Sequence, residues 1–160
     1  MKLTGKVHYV GVNDRTKHRF EGLWILPQGV SYNSYLIHDE KATALVDTVD
    51  MAFFPEYLEK IKEVIGERAL DYVIINHMEP DHSGSLALIR QQFPNVKLVG
   101  NKKTLEMVQG FYGLDTENTL CVADGDSLDL GHHKLSFHLT PMLHWPETMM
   151  TYLPEEETLF

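Results

Sequence analysis

The sequence has few of the features that mark secreted, membrane or nucleic-acid-binding proteins. Its single cysteine, Cys121, cannot form an internal disulfide and fits a reducing compartment. Its longest apolar runs reach only about five residues, whereas a membrane-spanning helix needs roughly 20, and no apolar signal-peptide segment follows Met1. Basic residues are also scarce, at 14 Lys+Arg against 23 Asp+Glu, which disfavours phosphate contacts. We therefore predict a cytoplasmic protein with neither a membrane nor a nucleic acid as partner.

The rest of the composition is that of an ordinary globular protein, with one exception. Of the 160 residues, 43% are hydrophobic and 23% are charged, which excludes a disordered chain and favours one domain. The exception is histidine, because nine are present in a chain whose net charge is −9. This combination of imidazoles and carboxylates makes a metal site the first function to consider.

Short apolar runs alternate with amphipathic segments, which predicts an α/β fold. One amphipathic helix begins at Pro55 and ends before Gly66, a second follows Ser83 as far as Phe93, and a third closes near Gly110. The remaining apolar runs are predicted to be strands, and those at 35–37 and 43–46 flank a turn and form a hairpin. The full set of strand-like runs is 7–10, 35–37, 43–46, 72–75, 96–99, 119–122, 127–130, 134–139, 149–153 and 158–160.

The densest group of potential metal ligands follows the strand-like run 72–75. His77, Glu79, Asp81 and His82 lie within six residues, in a segment where Pro80 favours a loop over a helix. Open α/β sheets place their sites at the carboxyl ends of strands, and alternate residues of an extended loop can converge. Imidazole suits iron, zinc or copper, while paired carboxylates favour harder ions and can bridge two of them. The alternative is a solvated polar loop, which we consider less consistent with a position directly after a buried strand.

His144 is the second candidate region. Pro141 and Pro146 flank it and predict a rigid loop, which a metal ligand requires. Alone, such a histidine is more often a core residue, but beside the upstream cluster the ligand interpretation is better. His132 and His133 follow a glycine in a predicted turn and are expected to be solvated, and Cys121 is expected to be a small buried hydrophobe.

The segment 76–86, which reads NHMEPDHSGSL, resembles the metal-binding signature of the metallo-β-lactamase superfamily. It carries the glutamate variant typical of flavodiiron proteins (A-type flavoproteins), with Glu79 where zinc hydrolases of the superfamily usually have histidine. The segments 31–36, 46–50 and 140–146 resemble further blocks of that family in the same order. The resemblance covers nearly the whole chain.

The resemblance implies an αββα sandwich that holds a non-haem diiron site. It implies that His77, Glu79 and His144 bind one iron and that Asp81 and His82 bind the other. The family's second, flavodoxin-like domain carries FMN, and the enzymes reduce dioxygen to water or nitric oxide to nitrous oxide. Electrons come from rubredoxin or a related donor, and the full-length protein is expected to be a homo-oligomer.

The chain departs from the family pattern after His144. The family's bridging aspartate and last histidine would fall beyond Phe160, and no flavodoxin-like domain is present. We therefore expect residues 1–160 to be the N-terminal portion of a metallo-β-lactamase-like domain, incomplete at the C-terminus. This chain alone is expected to bind metal weakly or at one position, without turnover.

The sequence leaves two other functions open. A zinc-dependent hydrolase of the same superfamily would use a metal-bound hydroxide, although Glu79 argues against it. A non-catalytic module would instead bind a partner, such as its own C-terminal half, through the strand-like end at 158–160.

Overall fold

The computed structural model describes residues 1–115 and 117–160. Its strands are β1 (Lys2–Thr4), β2 (Val7–Tyr9), β3 (Val12–Asp14), β4 (Arg19–Phe20), β5 (Trp24–Ile25), β6 (Val30–Tyr32), β7 (Tyr35–His38), β8 (Thr43–Val46), β9 (Tyr72–Ile74), β10 (Lys97–Gly100), β11 (Thr119–Cys121), β12 (Ser127–Asp129), β13 (Lys134–Leu139), β14 (Met149–Leu153) and β15 (Thr158–Leu159). Its α-helices are α1 (Phe54–Ile65), α2 (Pro80–Ser83), α3 (Leu86–Gln92) and α4 (Lys102–Tyr112), and 3-10 turns cover Met51–Phe53 and Pro154–Glu156.

Within the described ranges, seven strands form a mixed sheet in the order β1-β2-β7-β8-β9-β10-β11. The neighbouring pairs β1–β2, β2–β7 and β7–β8 are antiparallel. The strands β8, β9, β10 and β11 run parallel to one another. The predicted hairpin is confirmed, because Tyr35 lies opposite Val46 and His38 lies opposite Thr43. Since β8 and β9 are parallel, the segments that follow them leave the sheet at the same edge.

The central strands are apolar on both faces because each face is covered by a different layer. Side chains such as Leu45 and Val73 pack against α1, α3 and α4 in one core cluster. Their neighbours along the strands, such as Val46 and Ile74, pack against β12, β13 and β14 in a second cluster. The period of two along each strand thus separates a helix-facing core from a sheet-facing core. The predicted αββα class of fold is confirmed, and the described residues form one helix layer and both sheets of it.

The second sheet carries the loop that holds His144. In the described part of the chain its order is β12-β13-β14-β15, with every pair antiparallel. Residues 140–148 connect β13 to β14, so both ends of this loop are fixed by one hairpin. The predicted strand at 158–160 is present as β15, paired with the end of β14.

Local sequence signals explain most helix boundaries, and the exceptions have simple causes. Pro80 does not exclude a helix, because it occupies the first position of α2, where its missing N–H is not needed. Ser85 rather than Ser83 precedes α3, and Ser83 instead ends α2. The helix predicted to close near Gly110 continues to Gly113, whose φ of +63° terminates it. Gly110 is exposed on that helix, where glycine weakens a helix without ending it.

Two expectations about burial are wrong. Cys121 is exposed, since it ends β11, an edge strand of the large sheet. His133 is buried, because its ring lies between two carboxylates, with Nδ1 at 3.0 Å from Asp39 Oδ2 and Nε2 at 3.2 Å from Glu156 Oε1. The backbone N–H of His133 also donates to Asp39, at 2.7 Å. These bonds join the β7–β8 turn to the second sheet.

Within residues 1–115 and 117–160, no helix combines the length and apolar character needed to cross a bilayer.

We expect the Asp39–His133 contact to make the free energy of unfolding depend on pH in the acidic range. Burial raises the pKa of Asp39, but hydrogen bonds from the N–H groups of His133 and Glu40 outweigh it, so the pKa lies below its ordinary value. A carboxylate with a lowered pKa stabilises the folded state above about pH 4, and this contribution is lost as the pH falls through the folded-state value. The variant Asp39→Asn should therefore unfold about 1–3 kcal/mol more easily near neutrality.

Urea unfolding of wild-type and Asp39→Asn proteins at several pH values would measure this difference. The gap between the two proteins should shrink steadily as the pH is lowered below about 4. A gap that stays constant across this range would contradict the assignment of the effect to the Asp39 carboxylate.

Candidate metal centre

The candidate metal centre lies where three segments converge at one edge of the sheets. The loop after β9 carries His77 and Glu79 and continues into α2, which carries Asp81 and His82. The loop between β13 and β14 brings His144 to the same place from the second sheet. The site therefore depends on the relative position of the two sheets.

Three of the five predicted ligands form a compact group. Nε2 of His77 and Nε2 of His144 each lie 3.2 Å from the same carboxylate oxygen, Oε2 of Glu79. One ligand atom from each residue can be chosen so that all three lie within 4.8 Å of one another. His77 and Glu79 are buried, whereas the side chain of His144 is 59% exposed. The group is thus open to solvent on the His144 side.

Asp81 and His82 lie beside this group but are not part of it. Nε2 of His82 is 3.8 Å from Asp81 Oδ2, and Nδ1 of His82 is 3.5 Å from Asp47 Oδ2. The rings of His82 and His77 meet in an edge contact, with 5.4 Å between ring centroids. The structure therefore places the second predicted pair next to the first group, together with Asp47.

The surroundings of the site shift the pKa values of Glu79, Asp81 and His82. Burial raises the pKa of Glu79, but hydrogen bonds with the two neighbouring histidines outweigh it and hold that pKa below its ordinary value. Burial raises the pKa of Asp81. Burial lowers the pKa of His82, yet the carboxylates of Asp47 and Asp81 outweigh it and raise the pKa overall. Glu79 is therefore ready to act as an anionic ligand.

Asp47 was not predicted as a site residue, although it shapes the ligand loop. It follows β8 directly, adopts a φ of +53°, and accepts the backbone N–H of Asn76 through Oδ1 at 2.8 Å. Its own carbonyl accepts the hydroxyls of Ser34 and Tyr57, at 2.9 and 3.2 Å. The usable sequence signal is its position at the end of a strand beside β9, since both strand ends open at one edge.

Further hydrogen bonds hold α2 against the sheet. Thr48 donates both its backbone N–H and its hydroxyl to the carbonyl of His82, each at 2.7 Å. The hydroxyl of Ser83 donates to the carbonyl of Met78 at 2.7 Å and contacts the hydroxyl of Tyr112 at 2.7 Å. The loop that carries the ligands is therefore fixed by bonds to neighbouring segments on both sides.

Glu147 is the second residue that sequence reasoning missed. It lies three positions after His144, is fully buried, and contacts the loop after β9. Its Oε1 lies 2.8 Å from Nδ1 of His77 and accepts the N–H of Met78 at 2.9 Å. An ionised carboxylate only accepts hydrogen bonds, so Nδ1 of His77 carries the proton. With Nδ1 engaged by Glu147, Nε2 is the nitrogen of His77 that could bind a metal ion in place of its hydrogen bond with Glu79.

The donor set fits a metal ion. Two imidazole nitrogens and one carboxylate oxygen that converge in this way can all bind one cation when both rings are neutral. Two buried polar atoms of the described residues also lack hydrogen-bond partners at this site, Asp81 Oδ1 and Glu147 Oε2. Buried atoms of this kind normally have partners, and a cation bound here would supply one.

A cavity of about 270 Å³ opens beside the group. His82 and His144 line it on the side of the ligands, and Met150, Leu159 and Phe160 line it on the other side. An apolar cavity next to a few convergent polar groups is the usual setting of a small-molecule site.

The layered fold is that of a metallo-β-lactamase-like domain, and the His–Glu–His group is its candidate metal site. The sequence profile described as "ODP family beta lactamase" matches residues 30–160, and the chain belongs to this family.

Flavodiiron proteins are among the proteins similar to this chain. The chain is 38% identical over 156 residues to the anaerobic nitric oxide reductase flavorubredoxin of Vibrio vulnificus, covering 96% of this chain and 31% of that protein. It is 39% identical over 161 residues to a flavo-diiron protein of Clostridium acetobutylicum, covering 100% of this chain and 40% of that protein. The chain thus spans between about a third and two fifths of these relatives.

Solved structures agree with this similarity. The rubredoxin oxygen:oxidoreductase of Desulfovibrio gigas matches with a TM-score of 0.93 and 32% identity, covering 99% of this chain and 39% of that one. The flavodiiron protein of Giardia intestinalis matches with a TM-score of 0.91 and 35% identity, covering 97% of this chain and 37% of that one. The resemblance predicted from the four sequence blocks is confirmed.

Proposed function

We propose that the chain is the iron-binding part of a flavodiiron oxidoreductase that reduces dioxygen to water, nitric oxide to nitrous oxide, or both. The observation that carries this proposal is the convergence of His77 and His144 on the carboxylate of Glu79. A carboxylate at this position suits iron, which accepts mixed nitrogen and oxygen ligands. The similarity to an oxygen oxidoreductase and a nitric oxide reductase supports the reaction class.

In this proposal His77, Glu79 and His144 hold one iron, and Asp81 and His82 contribute to the second. The bound irons would supply open coordination positions and electrons for a diatomic substrate. The lowered pKa of Glu79 keeps its carboxylate ionised for this role. The apolar side chains of Met150 and Phe160 line the adjoining cavity.

The remaining components of the proposal come from the relatives. The names flavorubredoxin and rubredoxin oxygen:oxidoreductase support a flavin cofactor, FMN, and a rubredoxin-like electron donor. A flavodoxin-like FMN domain, a homo-oligomeric assembly and a cytoplasmic location complete it. That residues 1–160 form the N-terminal portion of a longer domain stays a prediction.

Metal analysis combined with gas consumption tests this function. The full-length protein should be purified from cells supplied with both iron and zinc and assayed with a reduced rubredoxin donor. We expect bound iron and anaerobic consumption of nitric oxide, or consumption of dioxygen under air. Zinc in place of iron, without consumption of either gas, would overturn the proposal in favour of a zinc-dependent hydrolase. A protein that binds neither metal would favour a non-catalytic, partner-binding role.

A further inference from the structure

Glu147 contacts the ligand loop from a separate part of the chain. Its carboxylate is fully buried, and its Oε1 contacts both His77 Nδ1, at 2.8 Å, and the N–H of Met78, at 2.9 Å. These two contacts fix both the ring of His77 and the backbone just after it. The pairing spans 70 residues of sequence and joins the His144 loop to the loop after β9.

The position of Glu147 is itself fixed by the segment in which β10 leads into α4. Its carbonyl accepts the side-chain amide of Asn101 at 2.6 Å and the hydroxyl of Thr104 at 3.5 Å. Asn101 also caps α4 by accepting the N–H of Thr104 at 3.0 Å. Glu147 is therefore held by the start of a helix rather than by a free loop, and can impose an orientation on His77.

This contact determines which nitrogen of His77 is available. With the proton on Nδ1, the lone pair of the neutral ring lies on Nε2, the atom 3.2 Å from Glu79 Oε2. A carboxylate that accepts the other N–H of a metal-binding histidine fixes the tautomer and makes the ligand nitrogen more basic. The edge of Trp145 against the same ring, with centroids 5.0 Å apart, restricts its rotation.

The charge of the Glu147 carboxylate also supports a role for this residue at the metal site. Its Oε2 is buried without a hydrogen-bond partner, and among the described residues no lysine or arginine pairs with its carboxylate. A buried carboxylate that has hydrogen bonds on one oxygen but no lysine or arginine beside it is still costly. The carboxylates of Glu79 and Glu147 together carry the charge that one divalent cation neutralises.

We infer that Glu147 is a positioning residue that presents Nε2 of His77 to the metal and helps balance the charge of the bound ion. This inference rests on the metal site of the proposed function but not on the reaction proposed there. It applies equally to iron and to zinc at the same three ligands.

Zinc affinity of the full-length protein, measured by competition with a chromophoric chelator, tests the inference. Glu147→Gln keeps an oxygen that can accept both hydrogen bonds but removes the charge, and should weaken zinc binding about 10-fold. Glu147→Ala removes both bonds and should weaken it about 100-fold. If the alanine variant fails to fold, the nearly isosteric glutamine variant still decides the result.

Asp39→Asn is the matched control. Like Glu147, Asp39 is a buried carboxylate that contacts a histidine Nδ1 and accepts a backbone N–H, but its partner is His133, which is not one of the predicted ligands. The substitution should reduce stability and leave zinc affinity unchanged. Equal losses of zinc affinity in Glu147→Gln and Asp39→Asn would overturn the inference, because a general structural effect would then explain both.

A second measurement reports the tautomer directly. In the zinc-loaded wild-type protein, nitrogen–proton correlation spectra should show a proton on Nδ1 of His77 that is protected from exchange with water. Glu147→Ala should lose this protection. A wild-type zinc affinity in Glu147→Gln, or a protected Nδ1 proton in Glu147→Ala, would overturn the inference. Failure of gas reduction with these zinc results intact would overturn only the proposed function.

Discussion

Replacing Glu79 by alanine is expected to lower metal affinity at the His77–Glu79–His144 group more than about 100-fold, since loss of a ligand exceeds loss of its supporting contacts. Both Nε2 atoms lie 3.2 Å from the same Glu79 oxygen, so this substitution removes the anion on which the group converges. Iron content and gas reduction of the full-length protein should fall together. Folding should stay intact, because the exposed side of the group lets water replace the lost carboxylate.

Two variants separate the loss of a ligand from the loss of an acidic side chain. Glu79→Gln keeps the shape and one oxygen but no charge, and should retain an intermediate affinity. Glu106→Ala removes a glutamate from the exposed face of α4, paired only with Lys103 among the described residues, and should leave iron content and activity unchanged. Retained iron and full activity in Glu79→Ala would show that the site has been assigned to the wrong residues.

The residues of the candidate metal site could be predicted because their signals are local. His77 and Glu79 belong to one short segment after an apolar strand, and His144 stands between two prolines. A single sequence exposes such features directly, since residue type and spacing define them. Residue spacing alone does not separate the compact group from Asp81 and His82, because that distinction depends on how α2 turns after Pro80. The family resemblance did separate them, since it implied a different iron for each set.

The supporting residues could not be predicted in the same way, because their partners are distant in sequence. Glu147 contacts a histidine 70 residues away, and His133 contacts Asp39 at a separation of 94 residues. Periodicity gives no information on such pairs. His133 in particular looks like a turn residue in the sequence, and only the packing of the second sheet against the β7–β8 turn buries it.

The strands that are buried on both faces were predictable for a physical reason, whereas β1 and the short strands β3 to β6 were not predicted. Strands covered on both faces need continuous apolar runs, and those runs are visible at β8 and β9 without any knowledge of the fold. The pairing of β8 with β9 in parallel, and the packing of the second sheet, depend on long-range contacts instead. Helix ends were predicted correctly where proline and glycine act locally, as at Pro55 and Gly66, and wrongly where glycine is tolerated, as at Gly110.

Replacing Phe137 by alanine should destabilise the chain by about 3–5 kcal/mol. Phe137 lies in β13 opposite Thr151, is fully buried, and belongs to the core between the two sheets together with Ile74 and Val99. The truncation leaves a cavity that neither sheet can close, because backbone hydrogen bonds fix both. For a chain of this size we expect the midpoint of thermal unfolding to fall by about 10 °C.

Phe111→Ala is the matched control, because it makes the same chemical change at an exposed position of α4 and should shift stability by less than about 0.5 kcal/mol. A comparable loss in both variants would contradict the assignment of Phe137 to the core.

The same experiment connects the core to the site. Since His77 follows the first sheet and His144 is carried by the second, a metal that binds both stabilises the folded arrangement of the sheets. Added zinc should therefore raise the unfolding midpoint of Phe137→Ala, and this rescue should disappear when Glu79→Ala is combined with it.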